Sequence, residues 1–438
     1  MTRDCFWRAQ ARTTARGILF VVLASAMVQG AGVSQQPPAV APLYDDVHDC
    51  IVDGIPNGFT VVGARAQWQV VADGPAASAA AGGAIDMIAS IWERWHAALH
   101  VLPEDGRAQY RIFFAPRASV RRLAVARGFQ EVVCGRPGET AIIVDADDDR
   151  LAQTLSHEIF HAFQHPSAAV PMARGSWWKE ATALWASDVF APLPSYVTSG
   201  VRHFLDHPEI PMDDESATTD RNHLYGAWLY VRWLDDFLHC RVPGSCAQFA
   251  TDGIWPLLAE TFRRIDTGVP ATEAVRGAIE ARAPAGTFDD TVAWFWADTL
   301  GQHSVPRVWG GPFATGTSWL VGGSGGEQTI TIAPLAAAIL RIKVTASPAR
   351  VTVYAHGPAA SRNVVHVLFG GQVRGVDHRE YAGRGFVTDL CSGTSAGSTF
   401  GIWPGELPLS IVNTGTAPAT WQIAVRITPT CTGIMPVR

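Results

Sequence analysis

Apolar and polar positions change period twice along the chain, and the changes divide it into three parts. The run FTVVGARAQWQVVA from residue 59, the stretch 109–114 and the stretch Thr140 to Val144 are short and rich in Val, Ile and Phe, which predicts strands. An Ala-rich segment from Ala77 to His100 carries its apolar residues at helical spacing. Together these predict an α/β layer over 34–150. From Leu151 to about Thr299 the period is helical almost throughout, including Asn222 to Leu238 and Thr287 to Leu300, giving a helical part at 151–301. Beyond Gln302 the residues turn to Gly, Thr, Ser and Val, and QTITIA, ILRIKV, RVTVYAH, NVVHVLF and WQIAVRIT alternate between breakers. That pattern predicts a linker at 302–326 and an all-β sandwich at 327–438.

The first 33 residues follow a different rule. Arginines at positions 3, 8, 12 and 16 precede an apolar run from about Gly17 to Val28 and then small residues, the order of an export signal. The run is short for a membrane span, so the expectation is a secreted or periplasmic protein with no stable span once the signal is removed. The formal charge of −6 becomes about −9 without the signal, which argues against nucleic acid as a partner. Signal removal also takes Cys5 and leaves Cys50, Cys134, Cys240, Cys246, Cys391 and Cys431, an even set in a chain expected to be exported. Proximity suggests Cys240 with Cys246, and shared region suggests Cys50 with Cys134 and Cys391 with Cys431. No pair has the CxxC spacing of a zinc ribbon.

Candidate chemistry sits in the helical part. HEIFH at His157 to His161 puts two histidines four residues apart, on one face of a helix, with Glu158 beside them to handle a proton. At 100° per residue Leu151, Ala152, Leu155, Ile159, Ala162 and Phe163 form the apolar stripe, so the histidines and Glu158 are expected on a functional outer face. Asp147, Asp148 and Asp149 just before it supply a helix start and favourable charge. A solvated turn explains these aspartates, with Asp145, better than a calcium site, because EF-hand spacing is absent.

A catalytic zinc takes three protein ligands, and Glu180 in WWKEATALW is the best third one. It lies at the edge of its helix's apolar face, where a carboxylate needs a partner; a helix-start or Arg-paired glutamate is the plainer reading. His165 is the rival, but HEIFHAFQH lacks the Gly and the spacing of HExxHxxGxxH.

This arrangement, HExxH followed after a spacer by a Glu in W-x-x-E-A-x-A, resembles the gluzincin metallopeptidases, and most of all secreted bacterial metalloproteases with EATA-like segments. The resemblance covers roughly Thr140 to Leu238. It implies an α+β multidomain protein in which a zincin-like catalytic unit, a small α/β sheet layer plus a helical subdomain, precedes the C-terminal sandwich. It implies Zn2+ on His157, His161 and Glu180, with Glu158 as general base and acid in hydrolysis of a peptide or protein substrate. It also makes Tyr225 and His223 in RNHLYGAW candidates for the oxyanion donor, although Tyr225 fits equally well as a packed aromatic. Thr140 to Val144 occupies the place of the edge strand that pairs with substrate, or is an ordinary buried strand. No GxMEN motif is present, which disfavours an aminopeptidase, and Leu184 stands where thermolysin-like enzymes carry an Asp. Asp188 is a candidate to orient a ligand or to make a polar contact at the helix end. Two other functions share these residues: an inactive exported binding or adhesion protein on the same scaffold, and a zinc hydrolase of a non-peptide amide. Oligomeric state is not set by the sequence.

Overall fold

Continuous apolar runs such as RIFFA and TAIIVD belong to strands buried on both faces, and that is how they are used. The structure, a computed structural model, describes residues 43–45, 48, 50–100, 110–124, 126–134, 136–164, 176–191, 197–214, 221–239, 253–283, 287–301, 317–322, 325–344, 349–357, 363–369, 372–376, 388–392 and 406–428. The expected export signal, His165, most of the expected linker, and at least one cysteine of the pairs Cys240–Cys246 and Cys391–Cys431 lie outside these residues. Among the described residues, no helix is long and apolar enough to cross a membrane.

The first sheet is built from β1 (Tyr44–Asp45), β2 (Cys50–Ile51), β3 (Phe59–Ala64), β4 (Trp68–Asp73), β5 (Tyr110–Ala115), β6 (Gly128–Val133) and β7 (Arg136–Asp145). Its order is β1-β2-β6-β7-β5-β4-β3, with β7 parallel to β5 and antiparallel to β6. Side chains alternate across it. Val70, Ala72, Ile112, Phe114, Ile142 and Val144 join the helical core, while Val71, Phe113, Ala115 and Ile143 pack with Leu43, Tyr44, Phe129 and Val133 on the other side. A disulfide between Cys50 and Cys134 ties β2 to the end of β6, the pairing that shared region suggests.

Helix α1 (Gly74–Leu99) joins β4 to β5 and buries Ala77, Ala81, Ala84, Ile88, Ile91 and Trp95 in the core shared with the sheet's inner face. The helical part follows as α2 (Leu151–Gln164), α3 (Ser176–Phe190), α4 (Val197–Asp206), α5 (Arg221–Gly226), α6 (Trp228–Leu238), α7 (Trp255–Asp266), α8 (Ala271–Glu280) and α9 (Thr287–Gly301). The expected helix from Asn222 to Leu238 is therefore two, separated at Ala227. Close packing accompanies the break, since a Cβ on Gly226 would stand 2.2 Å from Phe204 Cβ and 2.6 Å from the Gly200 carbonyl oxygen. Trp95, Trp177, Trp178, Trp185, Trp228 and Trp296 are all buried in this core, where their large apolar area contributes to packing.

The C-terminal part contains β8 (Thr317–Val321), β9 (Gly325–Ile332), β10 (Ala336–Val344), β11 (Ala349–His356), β12 (Asn363–Phe369), β13 (Gln372–Val376), β14 (Thr388–Ser392), β15 (Glu406–Asn413) and β16 (Ala419–Thr428). They form sheets ordered β13-β12-β15-β10-β8 and β14-β11-β16-β9. Leu340, Ile342, Leu409 and Ile411 from the first meet Trp421, Ile423, Val425 and Ile427 from the second in one cluster. The alternate residues Ala337, Ile339 and Val412 face the helical core, and the Ala337 amide donates to the Pro208 carbonyl at 2.7 Å. β8 lies inside the stretch expected to be linker, because SWLV is a short apolar run among glycines and pairs parallel to β10.

Candidate metal centre

Helices α2 and α3 run antiparallel and are clasped along their length. Ser187 Oγ donates to the Gln153 carbonyl at 2.8 Å, and at the other end Gln164 Nε2 donates to the Lys179 carbonyl at 2.8 Å. The clasp sets His157 and His161 of α2 against Glu180 of α3. One ligand atom from each of the three lies within 4.8 Å of the others. Nε2 of His157 and Nε2 of His161 are 3.0 Å apart, and the Glu180 carboxylate oxygens stand 3.3 Å and 3.7 Å from them respectively.

The hydrogen-bond network fixes which nitrogen of His161 faces this group. Gln164 Nε2 also donates to Thr182 Oγ1 at 2.6 Å, and that hydroxyl spends its own proton on the Trp178 carbonyl at 2.7 Å. The amide of Gln164 is thereby oriented with Oε1 toward His161, whose Nδ1 donates to it at 2.6 Å. A proton on Nδ1 leaves a lone pair on Nε2. That lone pair points at a second imidazole nitrogen and a carboxylate, so a proton or a cation has to sit among them. The donor set of two imidazoles and one carboxylate is one that zinc takes, at roughly 2.0–2.2 Å from each ligand. Gln164 is three residues after His161, within reach on one helix face. It carries no motif, and only this spacing points to it in the sequence.

Charge is distributed unevenly here. Burial works against an ionised Glu180, but His161, the hydrogen bond and charge of His157, and Lys179 outweigh it and hold the carboxyl at about 2. Burial raises Glu158 instead, to about 7, with Glu180 adding to the rise against the opposing charge of His157. Burial and the neighbouring Lys179 hold His161 well below its ordinary value. Lys179 is itself buried and lowered by burial, with Glu180, Glu158 and Glu131 around it opposing. Two adjacent carboxyl groups thus differ in proton affinity, the condition for one to bind a cation while the other moves a proton.

The helix face that carries these groups is not an outer face. Glu158 is 6 % exposed and His161 3 %, covered by α3 and by β6. Helical periodicity finds one apolar stripe and assigns the remainder to solvent, whereas α2 is enclosed between two layers. β6 comes so close that a Cβ on Gly128 would stand 3.1 Å from Glu158 Cγ and 2.6 Å from Thr154 Cγ2. Thr140 to Val144 is not at the edge either, since β7 is held between β5 and β6. Beside α2 the strand with an open side is β6, which, among the described residues, has β2 on its outer side only at Val133.

The other candidates are not among the three converging residues. His223 is fully buried, donates from Nε2 to the Pro211 carbonyl at 3.0 Å, and packs its ring on Phe204 and His203, so its contacts are those of α4 and α5. Tyr225, on the same short helix, is 37 % exposed. Asp188 pairs with Arg232 at 3.8 Å. Asp145 accepts from Arg117 at 2.6 Å and Asp148 from Arg127 at 2.5 Å. Thr154 Oγ1 donates to Asp148 at 2.5 Å as α2 begins, so these aspartates anchor the strand-to-helix turn.

Burial holds His223 at about 4, with the Pro211 bond opposing, His203 and His207 adding to the fall, and Asp214 opposing it. Its folded-state affinity for a proton is below the unfolded one near 6.5. The resulting stability is full above that value and is lost as pH falls from about 6.5 toward 4, up to roughly 3 kcal/mol. Urea unfolding at pH 7 and pH 4.5 is expected to show a smaller acid loss in His223→Gln than in wild type; equal losses would mean His223 titrates normally.

No family model matches the chain, and no curated protein matches it. Among solved structures it is similar to the pre-peptidase C-terminal domain of a collagenase from Bacillus anthracis, at 9 % identity over 25 % of this chain and 96 % of that one, with a TM-score of 0.18. It is also similar to PliG, a periplasmic inhibitor of g-type lysozyme from Salmonella Typhimurium, at 11 % identity over 26 % of this chain and all of that one, with a TM-score of 0.16. Neither likeness reaches a level that bears on fold or function.

Proposed function

We propose that the chain is an exported zinc-dependent peptidase, an endopeptidase acting on extended protein segments, with a zincin-like catalytic unit and a C-terminal β-sandwich. One observation carries the reading: His157 Nε2, His161 Nε2 and a Glu180 oxygen converge within 4.8 Å, and Gln164 turns the lone pair of His161 into that space. His157, His161 and Glu180 would hold the metal. Bound there, zinc supplies Lewis acidity and lowers the pKa of a water molecule toward neutrality.

The chain's own residues supply the rest. Glu158, with a proton affinity near neutrality, is suited to take the proton of the attacking water on its carboxylate and to return it to the leaving amine nitrogen. Tyr225 is the candidate donor to the developing oxyanion; His223, already committed to Pro211, is not proposed for that role. The outer side of β6 from Gly128 to Val132 supports an extended substrate, which would add to the sheet through main-chain hydrogen bonds beside Glu158.

The test is metal stoichiometry of the purified protein together with casein hydrolysis in the presence and absence of a chelator. One equivalent of zinc and chelator-sensitive hydrolysis are expected, and a protein that takes up no zinc on supplementation would sink the proposal. Gln164→Ala tests the positioning step. Losing the acceptor that orients His161 is expected to weaken zinc binding about 10- to 100-fold in competition with a chromogenic chelator, with folding unchanged by circular dichroism. Unaltered affinity would mean that His161 is oriented by packing alone.

A further inference from the structure

Helices α1, α3, α6 and α7 line a cavity of about 650 Å³, open to solvent, that contains none of the triad. Its size falls within the roughly 300–1,000 Å³ of small-molecule sites. One wall is aromatic, with the rings of Trp185 and Trp255 packed edge to face at 4.7 Å between centroids. The opposite chemistry comes from α6, where Arg232 and Asp235 are three residues apart and therefore neighbours on one helix face.

Both of these side chains hold a buried polar atom with an unmet hydrogen bond. Asp235 Oδ2 accepts from Trp185 Nε1 at 3.3 Å, but Oδ1 has no hydrogen-bond donor among the described residues. His239 Nδ1 stands 2.9 Å from that oxygen, yet it hydrogen-bonds the Asp235 carbonyl, also at 2.9 Å. Arg232 Nε is likewise buried without an acceptor among the described residues, with the Asp236 carboxylate 3.8 Å from it and the Asp188 carboxylate 3.8 Å from Nη1. A buried donor or acceptor left in this state is costly, more so when charged, and such groups in a cavity are what a ligand satisfies. One oxygen needs a donor and one guanidinium needs an acceptor, in a cavity whose two arginines, Arg94 and Arg232, are balanced by Asp188 and Asp235. A simple cation or anion answers only half of that demand.

We propose that this cavity binds a small zwitterion of the α-amino acid or dipeptide class, its ammonium on Asp235 Oδ1, its carboxylate on Arg232 and its side chain against Trp185 and Trp255. The site is separate from the metal centre, and the proposal does not depend on peptidase activity.

The experiment is isothermal titration of the full chain with L-phenylalanine, followed by N-acetyl-L-phenylalanine and L-phenylalaninamide, which lack the ammonium and the carboxylate respectively. Phenylalanine is expected to bind, and each blocked analogue to bind at least about tenfold more weakly, because each leaves a charged partner unmet. Asp235→Asn and Arg232→Gln are expected to lose the same discrimination, while Glu180→Ala keeps it. No heat of binding at millimolar ligand overturns the proposal, as does equal binding of all three compounds to wild type. Binding abolished by Glu180→Ala but untouched by Asp235→Asn and Arg232→Gln overturns it too, by assigning the ligand to the metal centre. The analogue comparison is made on wild type and so stands even if a variant fails to fold.

Discussion

Glu158→Gln is expected to keep wild-type zinc content while casein hydrolysis falls by about 10³-fold or more. The amide has the shape of the carboxyl group, so it fills the same narrow space beside Gly128, where the strand leaves 3.1 Å between a hypothetical Cβ and Glu158 Cγ. It also leaves the triad of His157, His161 and Glu180 intact. What it loses is the ability to take a proton. General acid–base groups contribute about 10²- to 10⁴-fold, and a 10³-fold loss corresponds to about 4 kcal/mol of transition-state stabilisation. The informative result is the combination, with zinc by elemental analysis and rate on the same sample. Full activity in this variant would exclude Glu158 as the base even if zinc were present.

The part of the site that rests on spacing was legible in the sequence, and the part that rests on layering was not. Four-residue spacing at His157 and His161, and the apolar stripe of Leu155, Ile159, Ala162 and Phe163, are properties of one helix and survive in the structure as read. Enclosure of the opposite face depends on β6 and α3, which no periodicity within α2 reports. β7 illustrates the same limit. Its apolar run is legible as a buried strand, but whether it lies inside the sheet or at the edge is decided by β5 and β6 pairing on either side.

Helix ends and partners failed for local reasons. The run Asn222 to Leu238 has no Pro to interrupt it, and its break at Ala227 accompanies the close approach of Gly226 to Phe204. Asp188 was recognisable as a polar residue on an apolar face, but its partner Arg232 is on another helix. Gln164 stood in view at the end of HEIFHAFQ. Its function appears only once Lys179 and Thr182 of α3 accept from its amide and turn its oxygen to His161. The C-terminal alternation was the easiest to read, because at β16 the odd residues from Ala419 to Ile427 are buried against solvent-facing neighbours such as Thr420, Gln422 and Arg426.

Glu180→Ala is expected to abolish zinc binding at stoichiometric concentrations. Three ligands become two, and two imidazoles alone leave the ion without the carboxylate that balances its charge. Lys179, buried next to Glu180, makes the loss larger, since a cation entering the vacated space would face an ammonium group with its nearest counter-charge removed. Heat stability provides a second reading that does not depend on catalysis. A ligand that binds only the folded chain stabilises it by about 4 kcal/mol at a thousandfold excess over its dissociation constant, so added zinc is expected to raise the melting temperature of wild type. The same addition is expected to leave the variant's melting temperature unchanged. A variant folded by circular dichroism that neither carries zinc nor responds to it would establish Glu180 as the third ligand. Retention of one equivalent, with the zinc-dependent rise intact, would show that the ion is held by His157, His161 and some residue other than Glu180, and the search would turn to the side chains that face α2 from β6.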